Sequence, residues 1–519
     1  MRIRNRAIAV VALWAALLAS ACTRSPQSSI TFTVSMEDPA SRTFHVTARY
    51  MSFIDEEIDF KMPNWTPGYY SLMDYFRGVE SFEAYDSADN PLGWEKASDT
   101  TWRVSTDSTP LVRLEFDIRT SRMFIANSYI DENRAFISPT SAFMYITDRI
   151  DHPATVTIEP YREWPDIATG LDRVEEQENT FTAPDFDVLF DSPILVGDLE
   201  SLPPFEVQGI PHRFIGYELG DFDKVAFMDD LKKIVETAVG IIGDIPYRHY
   251  TFMGVGPGRG GLEHLNSTAI SFSGSRGIST GTLGFIAHEY FHHYNVKRIR
   301  PIELGPFDYD NGNPTTMLWV AEGFTSYYQN LILRRAGLMT TEELLDAMRS
   351  SIIGYENTAG RLYQSVTESS LASWTQGPFG GDRSRSVNYY SKGAALGMLL
   401  DFEIRHASNN ERSLDDVMRT LYRTYYQTEE RGFTEEEFRL VCEEAAGVPL
   451  DRVFEYASTT REIDYGWYLS LAGLDITVPE NRTEEPLQGE ALEAAFRITV
   501  TENPTALQSA ILRSWIGEE

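Results

Sequence analysis

Cysteine is almost absent from this sequence, which contains only Cys22 and Cys442 in 519 residues. Cys22 lies at a predicted N-terminal processing site, which leaves Cys442 without a partner and excludes an internal disulfide. The folded chain must therefore rely on its hydrophobic cores, and Cys442 is predicted to lie in one, on a helix. Hydrophobic residues make up 42% of the chain, which is ample for about three domains.

Basic residues are also scarce. The chain has 45 Lys and Arg against 77 Asp and Glu, which gives a formal charge of -32. No basic surface is expected for nucleic acid or for an anionic membrane, so nucleic-acid binding is excluded. The sequence contains no internal repeat and no low-complexity tract.

The N-terminus has the layout of a secretion signal over residues 1–21. Three arginines precede an apolar run over 7–18, and small residues come after it. The alternative, an N-terminal membrane anchor, needs about 20 apolar residues to cross a bilayer, and this run is shorter. We predict that residues 1–21 are removed.

The end of that signal, LASAC over 18–22, looks like a lipoprotein processing site, although Ala19 stands where leucine is usual. Cys22 then becomes the lipidated first residue, and 22–29 form a linker. Thr23 comes directly after the cysteine, so an aspartate-type retention signal is missing. We therefore predict an exported bacterial lipoprotein at the outer membrane, facing the periplasm.

Residues 30–200 read as an all-β domain. Apolar and polar residues alternate over short runs such as 44–50 and 112–118, with Gly, Pro, Asn and Asp between them. The prolines at 203 and 204 mark a boundary.

Residues 205–466 form a second, mainly helical domain. A helix pattern over 222–242 and a strand at 249–255 come first, and further helix patterns occupy 280–296, 315–336, 341–355, 390–407, 413–427 and 434–447. The pattern weakens in the C-terminal segment, 467–519, which contains strand-like runs such as 495–500.

The strongest chemical signal is HEYFH at 288–292. Two histidines four residues apart on a helix face the same way, so His288 and His292 can bind one zinc ion, with Glu289 beside it as the base. The surrounding residues are apolar, and a buried, unpaired histidine pair would be costly. A random match to this five-residue pattern is expected in about one sequence in a hundred.

A hydrolytic zinc site needs a third protein ligand. We predict Glu322, which lies in an apolar helix pattern where an ionised carboxylate needs a strong partner. The rivals Glu303, Asp308 and Asp310 lie in a loop rich in Pro, Gly and Asn, which places a ligand less rigidly.

A glycine-rich stretch after the predicted strand ends in GGLEH at 260–264. Gly260 and Gly261 allow close backbone approach, so a peptide can lie along this edge by strand addition. Glu263 is then placed to bind the free ammonium group of a substrate. Taken alone, the stretch reads better as a glycine turn with a solvated acid.

Two further groups surround these motifs. Tyr390, in YYSKG at 389–393, is the predicted hydrogen-bond donor to the oxyanion of a tetrahedral intermediate. The basic cluster Lys297, Arg298 and Arg300 is predicted to brace the active-site loop by ion pairs, with binding of a peptide carboxylate as the alternative. His293 points about 100° away from His292 on a helix and is excluded as a ligand.

Together these motifs resemble the glycyl aminopeptidase family of zinc metallopeptidases, relatives of aminopeptidase N. HEYFH followed by NVKRIRP at 295–301 looks like the extended signature of that family. GGLEH resembles the motif that binds the substrate's amine, and YSKG resembles the motif that carries the catalytic tyrosine. MPNWTPGYY at 62–70 is similar to the opening of its β domain. Tyr294 replaces the usual tryptophan. Members commonly end in a PDZ domain, for which the residues after 466 are too few, although 503–507 resemble a fragment.

The resemblance implies a multidomain protein in which an all-β domain precedes a mainly α, thermolysin-like catalytic domain. It implies one Zn²⁺ per chain and hydrolysis of the N-terminal bond of peptides, with preference for glycine or alanine. Two alternatives remain: a zinc hydrolase acting on another bond, and a lipid-anchored binding protein with a structural zinc site.

Overall fold

The computed structural model describes residues 29–518 except 54, 121, 378–379, 383 and 480–484. The predicted signal peptide, Cys22 and the linker up to residue 28 lie outside the described residues. Within the described ranges, no helix is both long enough and apolar enough to span a membrane.

The N-terminal part is built mostly of strands. These are β1 Ser29–Ser35, β2 Thr43–Met51, β3 Glu57–Lys61, β4 Val79–Tyr85, β5 Trp94–Ser98, β6 Thr101–Ser105, β7 Leu111–Arg119, β8 Tyr129–Ile130, β9 Arg134–Ile137, β10 Ala154–Glu159, β11 Asp166–Thr169, β12 Asp172–Arg173, β13 Thr180–Ala183 and β14 Ile194–Gly197, with a short helix α1, Phe186–Phe190, before β14. They form a seven-stranded sheet in the order β12-β13-β10-β1-β2-β7-β4, a four-stranded sheet β11-β14-β9-β8 and a three-stranded sheet β3-β6-β5.

The seven-stranded sheet shows why the alternating runs fold as strands. β2 and β7 pair antiparallel, with Phe44 opposite Ile118 and Tyr50 opposite Val112. All four side chains are buried on the same face, while the residues between them point the other way. The predicted all-β N-terminal domain is confirmed.

A second unit begins with a mixed sheet. Its strands are β15 Glu200–Ser201, β16 Phe205–Val207, β17 Ile210–Gly216, β18 Tyr250–Gly254, β19 Gly261–Glu263 and β20 Ser267–Ile270. They are ordered β15-β17-β18-β20-β19, with β16 also paired to β17, so β19 lies at the edge of the sheet. The chain changes sheets between Gly197 and Glu200. The domain division at 200–205 stays a prediction.

Helices make up most of the chain after β20. Helix α2, Lys224–Ile242, lies between β17 and β18. The helices after β20 are α3 Thr280–Phe291, α4 Leu318–Arg335, α5 Thr341–Glu356, α6 Val366–Gln376, α7 Tyr389–Ala407, α8 Leu414–Leu421, α9 Glu435–Ala446 and α10 Asp451–Ser458. A π-helical stretch, Tyr422–Thr428, comes after α8. The mainly helical domain is confirmed, and Cys442 is a buried free thiol in α9. The sequence patterns missed α6 and α10.

Helix α3 ends earlier than the pattern 280–296 predicted. Beyond Phe291 some backbone hydrogen bonds span five residues instead of the four of an α-helix. The amide of Lys297 donates to the carbonyl of His292 at 3.0 Å, and that of Ile299 donates to the carbonyl of Tyr294 at 2.7 Å. The apolar period continues through these turns because the segment remains buried. Periodicity alone therefore did not mark the end of the helix.

Helices α4 and α7 pack very closely because a glycine on each faces the other. A β carbon on Gly323 would lie 2.4 Å from the Cα of Gly393, and one on Gly393 would lie 2.3 Å from the carbonyl oxygen of Trp319. Any side chain here would force the helices apart. The contact brings the adjacent Glu322 of α4 towards Tyr390 of α7.

The C-terminal segment packs on the helical domain. It comprises α11 Tyr465–Ser470, β21 Leu474–Ile476, α12 Gly489–Ala494, β22 Ile498–Val500 and α13 Ala506–Ile516. Only the end of the strand-like run 495–500 is a strand, and α13 was not predicted. Its signal was available, because Thr505 and Gln508 form a capping box. Trp515 of α13 is fully buried, donates a hydrogen bond from Nε1 to the hydroxyl of Tyr327 at 2.7 Å and contacts the ring of Phe402.

Candidate active site

Two histidines and a glutamate converge between α3 and α4. The Nε2 atoms of His288 and His292 are 2.9 Å apart, and Oε2 of Glu322 lies 3.5 Å from the first and 3.1 Å from the second. All three residues are buried. Among the described residues, they are the one group of three or more His, Cys, Asp or Glu side chains whose ligand atoms converge in this way.

Hydrogen bonds at Nδ1 of His288 and His292 leave the Nε2 atom of each ring free to bind a metal ion through its lone pair. Nδ1 of His292 lies 2.7 Å from the carbonyl oxygen of Asn295, and Nδ1 of His288 lies 2.9 Å from Oε1 of Gln329. Each Nδ1 therefore carries the proton, and each Nε2 presents a lone pair. Two bare nitrogens and a carboxylate oxygen at this spacing repel one another unless a cation lies between them. The side chains fit a zinc ion, which prefers such ligands.

The charges of the pocket favour a cation. Burial opposes ionisation of His292, but the carboxylates of Glu322 and Glu263 raise its pKa to about 10. Burial alone would raise the pKa of Glu322, yet His292 and His288 hold it well below its ordinary range. For His288, burial and the neighbouring His292 lower the pKa. The carboxylates thus stabilise one positive charge at Nε2 of His292, either a proton or a bound cation that takes the proton's place.

Glu289 lies next to the converging ligands and against the edge strand. A β carbon on Gly261 would be 2.6 Å from Cδ of Glu289 and 2.7 Å from its Oε1, so glycine is required for the carboxyl group to reach this position. Burial raises the pKa of Glu289 well above its ordinary value, with Glu263 and Glu322 adding to the effect. A carboxyl group with a raised pKa accepts a proton more readily, as a general base must.

Glu263 ends the edge strand β19 and is buried by the N-terminal domain. A β carbon on Gly68 would lie 2.7 Å from Oε1 of Glu263, so the 62–70 loop lies directly on this carboxylate. Oε1 has no hydrogen-bond partner among the described residues, and Nζ of Lys297 is 3.9 Å from it. Gly260 precedes the strand with a φ of 94°, a conformation that favours glycine.

Tyr390 stands at the start of α7, where Asn388 accepts hydrogen bonds from the amides of Tyr390 and Ser391. Its ring centroid lies 6.2 Å from that of His288, and the two ring planes are inclined at 29°. Burial and the nearby Glu322 raise the pKa of the phenol well above its ordinary value, so it stays a hydrogen-bond donor. Tyr389 turns into the core, where its hydroxyl lies 3.4 Å from Oγ of Ser373.

The basic cluster turns out to have divided roles. Lys297 forms the predicted kind of ion pair, with Oδ1 of Asp191 at 2.8 Å, and Asp191 comes from the N-terminal domain. Arg298 departs from the prediction because its guanidinium donates to the backbone carbonyls of Leu265, His293 and Pro246. Backbone carbonyls replace the expected acids because Arg298 lies among the turns that come after α3.

The rival ligands lie elsewhere. Glu303 accepts a hydrogen bond from Thr315, Asp308 accepts from Asn311, and Asp310 is bound by Lys61 and Tyr145. His293, excluded from the sequence, is absent from the converging group.

Sequence reasoning missed several residues that shape the site. Gln329 and Asn295 orient the two histidines, and Asp191 accepts hydrogen bonds from His264 and Lys297. Tyr70 was recognised only as part of a motif, yet it is buried beside the site. Gln329 and Asp191 act on side chains distant along the chain, so nothing in the local sequence marks them, whereas Asn295 lies three residues after His292 and was recognised only as part of a motif.

The fold and this set of side chains define a metallopeptidase of the thermolysin-like group. Two family models match the chain: the Peptidase M61 N-terminal domain over residues 31–198 and M61 glycyl aminopeptidase over 281–396. Together they match more than half of it, and the chain belongs to the M61 glycyl aminopeptidase family.

Solved structures agree with this assignment. An aminopeptidase N family protein from Idiomarina loihiensis is 26% identical with a TM-score of 0.81, over 88% of this chain and 82% of that one. An M1 zinc metallopeptidase from Deinococcus radiodurans, solved as a variant with a Tyr-Ser-Ala substrate, is 13% identical with a TM-score of 0.55, over 84% and 94%. The second likeness shows a shared fold. Among curated proteins, no sequence matches the chain.

Proposed function

We propose that the protein is a zinc-dependent aminopeptidase that holds one Zn²⁺ per chain through His288, His292 and Glu322. The observation that carries this proposal is the buried Oε1 of Glu263 at the edge strand, which receives no hydrogen bond from the described residues and has Nζ of Lys297 only at 3.9 Å. A buried carboxylate oxygen without a donor is costly, and the ammonium group of a free N-terminus supplies both the donor and the charge. An endopeptidase has no use for such a group at this place.

The proposed reaction rests on the placement of the side chains. A peptide adds as a strand to β19 along Gly260 and Gly261, with its ammonium group at Glu263. When bound, zinc supplies Lewis-acid chemistry that activates water and polarises the scissile carbonyl. Glu289 accepts the proton of the attacking water and passes it to the departing amine, and Tyr390 donates a hydrogen bond to the oxyanion.

A preference for N-terminal glycine or alanine is supported by a small cavity at the 62–70 loop, the loop that lies against Glu263. Its lining includes Gly68, Tyr70 and Lys297, and its volume is about 20 Å³. A space of this size holds about one water molecule, comparable to a methyl group. Larger first residues require the loop over Glu263 to move.

The test is a rate profile with the purified mature chain. Glycyl, alanyl, leucyl and phenylalanyl anilides are compared with their N-acetylated forms, and bound zinc is counted. We expect one zinc per chain, hydrolysis of the glycyl and alanyl compounds and no hydrolysis of the blocked ones. Equal rates for blocked compounds would point to a hydrolase of another bond. Zinc without turnover of any free-amino substrate would favour a binding protein.

We further propose that the protein is a lipoprotein of the outer membrane, facing the periplasm. The sequence supports this through the signal over 1–21 and Cys22. Mass spectrometry of the N-terminal peptide should find acyl chains on Cys22, and Cys22→Ser should release the protein into the soluble periplasmic fraction. An unmodified Cys22 in the membrane-bound protein would overturn this proposal.

A further inference from the structure

Asp191 is a buried carboxylate of the N-terminal domain that reaches into the catalytic domain. It comes directly after α1 and is 5% exposed. Its Oδ2 accepts a hydrogen bond from the backbone amide of Leu265 at 2.7 Å. Its Oδ1 lies 3.1 Å from Nδ1 of His264 and 2.8 Å from Nζ of Lys297. His264 and Leu265 directly follow Glu263, the residue at which we place the ammonium group of the substrate.

The ammonium group of Lys297 lies between two carboxylates but is hydrogen-bonded to only one of them. Its Nζ lies 2.8 Å from Oδ1 of Asp191 and 3.9 Å from Oε1 of Glu263. A hydrogen bond between an ammonium nitrogen and a carboxylate oxygen is about 2.7–2.9 Å long, so only the first distance is a hydrogen bond. Among the described residues, these two carboxylates are the ion-pair partners of Lys297, and all three side chains are buried.

The charge of Asp191 decides which carboxylate Lys297 binds. A buried ammonium group needs an anionic partner. If the charge at Asp191 is removed, Glu263 becomes the partner that remains, and a shift of about 1 Å brings Nζ within hydrogen-bonding distance of Oε1. The long, flexible side chain of lysine permits such a shift. Lys297 would then occupy the oxygen atom that we assign to the substrate.

Resting on the aminopeptidase function proposed above, we propose that Asp191 is a positioning residue for substrate binding. It holds the ammonium group of Lys297 away from Glu263, so Oε1 stays free for the N-terminus of the peptide. Two carboxylates and one ammonium group also carry a net charge of -1, which matches the single positive charge of that N-terminus. The N-terminal domain thus takes part in recognition of the free amine through Lys297, without contacting the substrate.

The test is a suppressor experiment on KM. Asp191→Asn keeps the shape of the side chain and removes its charge. With alanyl anilide we expect KM to rise about 10-fold or more, because the lost contact joins charged groups. The contact is made equally in the ground state and the transition state, so kcat should stay within about 3-fold, with zinc content unchanged. Adding Lys297→Met removes the competing ammonium group, and KM should return to within about 3-fold of the wild-type value.

The double variant separates this role from support of the fold. It still lacks the carboxylate of Asp191, so any weakened hold on His264 and Leu265 persists in it, whereas the competing ammonium group is gone. A double variant with KM as high as in Asp191→Asn would overturn the inference, as would a wild-type KM in Asp191→Asn. If Asp191→Asn alone does not fold, the double variant decides: a KM near wild type supports the inference, and a KM raised about 10-fold or more overturns it.

Asp310→Asn is the matched control, because Asp310 also binds a lysine of the other domain, Lys61, and is bonded to Tyr145. Its KM should equal that of the wild type, and a rise as large as in Asp191→Asn would show that loss of any ion pair between the domains has this effect. In all these outcomes the wild-type chain still hydrolyses alanyl anilide. Failure of the aminopeptidase proposal would instead show as a wild type that is inactive on substrates with a free amine.

Discussion

Gly261 lies directly against the carboxyl group of Glu289, with 2.6 Å between the position of a β carbon on Gly261 and Cδ of Glu289. The edge strand on which we place the substrate and the predicted base are therefore in contact through a residue without a side chain. Because Gly261 has no side chain, a peptide bound along this strand can lie close to the carboxyl group of Glu289.

Gly261→Ala is expected to displace Glu289 and to lower kcat about 100-fold, because a misplacement of about 1 Å has an effect of this order. Zinc content should be unchanged, since the three atoms nearest to the new β carbon belong to Glu289 and Phe285, neither of which is a proposed ligand. Steady-state kinetics with alanyl anilide measures the effect. Gly240→Ala is the control, because a β carbon there meets open space. Wild-type kcat in Gly261→Ala would show that the contact does not position the base.

Glu289→Gln and Glu322→Gln form a matched pair of isosteric changes at buried glutamates. The first should keep zinc and abolish turnover, because an amide cannot accept the proton. The second should lose zinc under dialysis, because it removes the anionic ligand. Metal analysis beside the anilide assay separates them. Residual activity near wild type in Glu289→Gln would contradict its role as base.

Gln329→Leu should weaken zinc binding about 10- to 100-fold, because Gln329 fixes the tautomer and orientation of His288. Competition with a chelator of known affinity measures the loss. Gln427→Leu is the control, since Gln427 bonds Asp244 at the surface. Unchanged zinc affinity in Gln329→Leu would mean that packing alone orients His288.

Trp515→Ala should destabilise the helical domain by about 3–5 kcal/mol, because it removes a fully buried indole and leaves the hydroxyl of Tyr327 without its donor. Urea unfolding monitored by circular dichroism gives the shift. Trp467→Ala, at an indole that is 39% exposed, should shift the midpoint far less. Equal shifts would show that the C-terminal segment does not contribute to the core.

His212 should make the protein less stable towards acid. Burial lowers its pKa to about 4, whereas an unfolded histidine titrates near 6.5. Between these values the unfolded chain binds the extra proton, so stability is full above pH ~6.5 and falls by about 3 kcal/mol as the pH drops through ~4. Urea midpoints across this range should fall less steeply in His212→Gln. His45→Gln, at a half-exposed side chain, is the control, and equal slopes in both variants would contradict the prediction.

The sequence by itself determined the parts of the protein that depend on local spacing. Alternation over 44–50 and 112–118 predicted strands that pair in one sheet, because period two fits only a pleated chain. The spacing of His288 and His292 predicted convergence on one face of α3, since four residues make about one turn. Glu322 was predicted from the cost of a carboxylate in an apolar helix, and it lies with both histidines.

Only the tertiary structure decided which distant residues meet. Three contacts join segments far apart in sequence: Gly68 against Glu263, the ion pair of Asp191 with Lys297, and the hydrogen bond between Gln329 and His288. No local period encodes such contacts, because they arise from packing between elements. The close approach of α4 and α7 through Gly323 and Gly393 likewise became clear only once the two helices lay side by side.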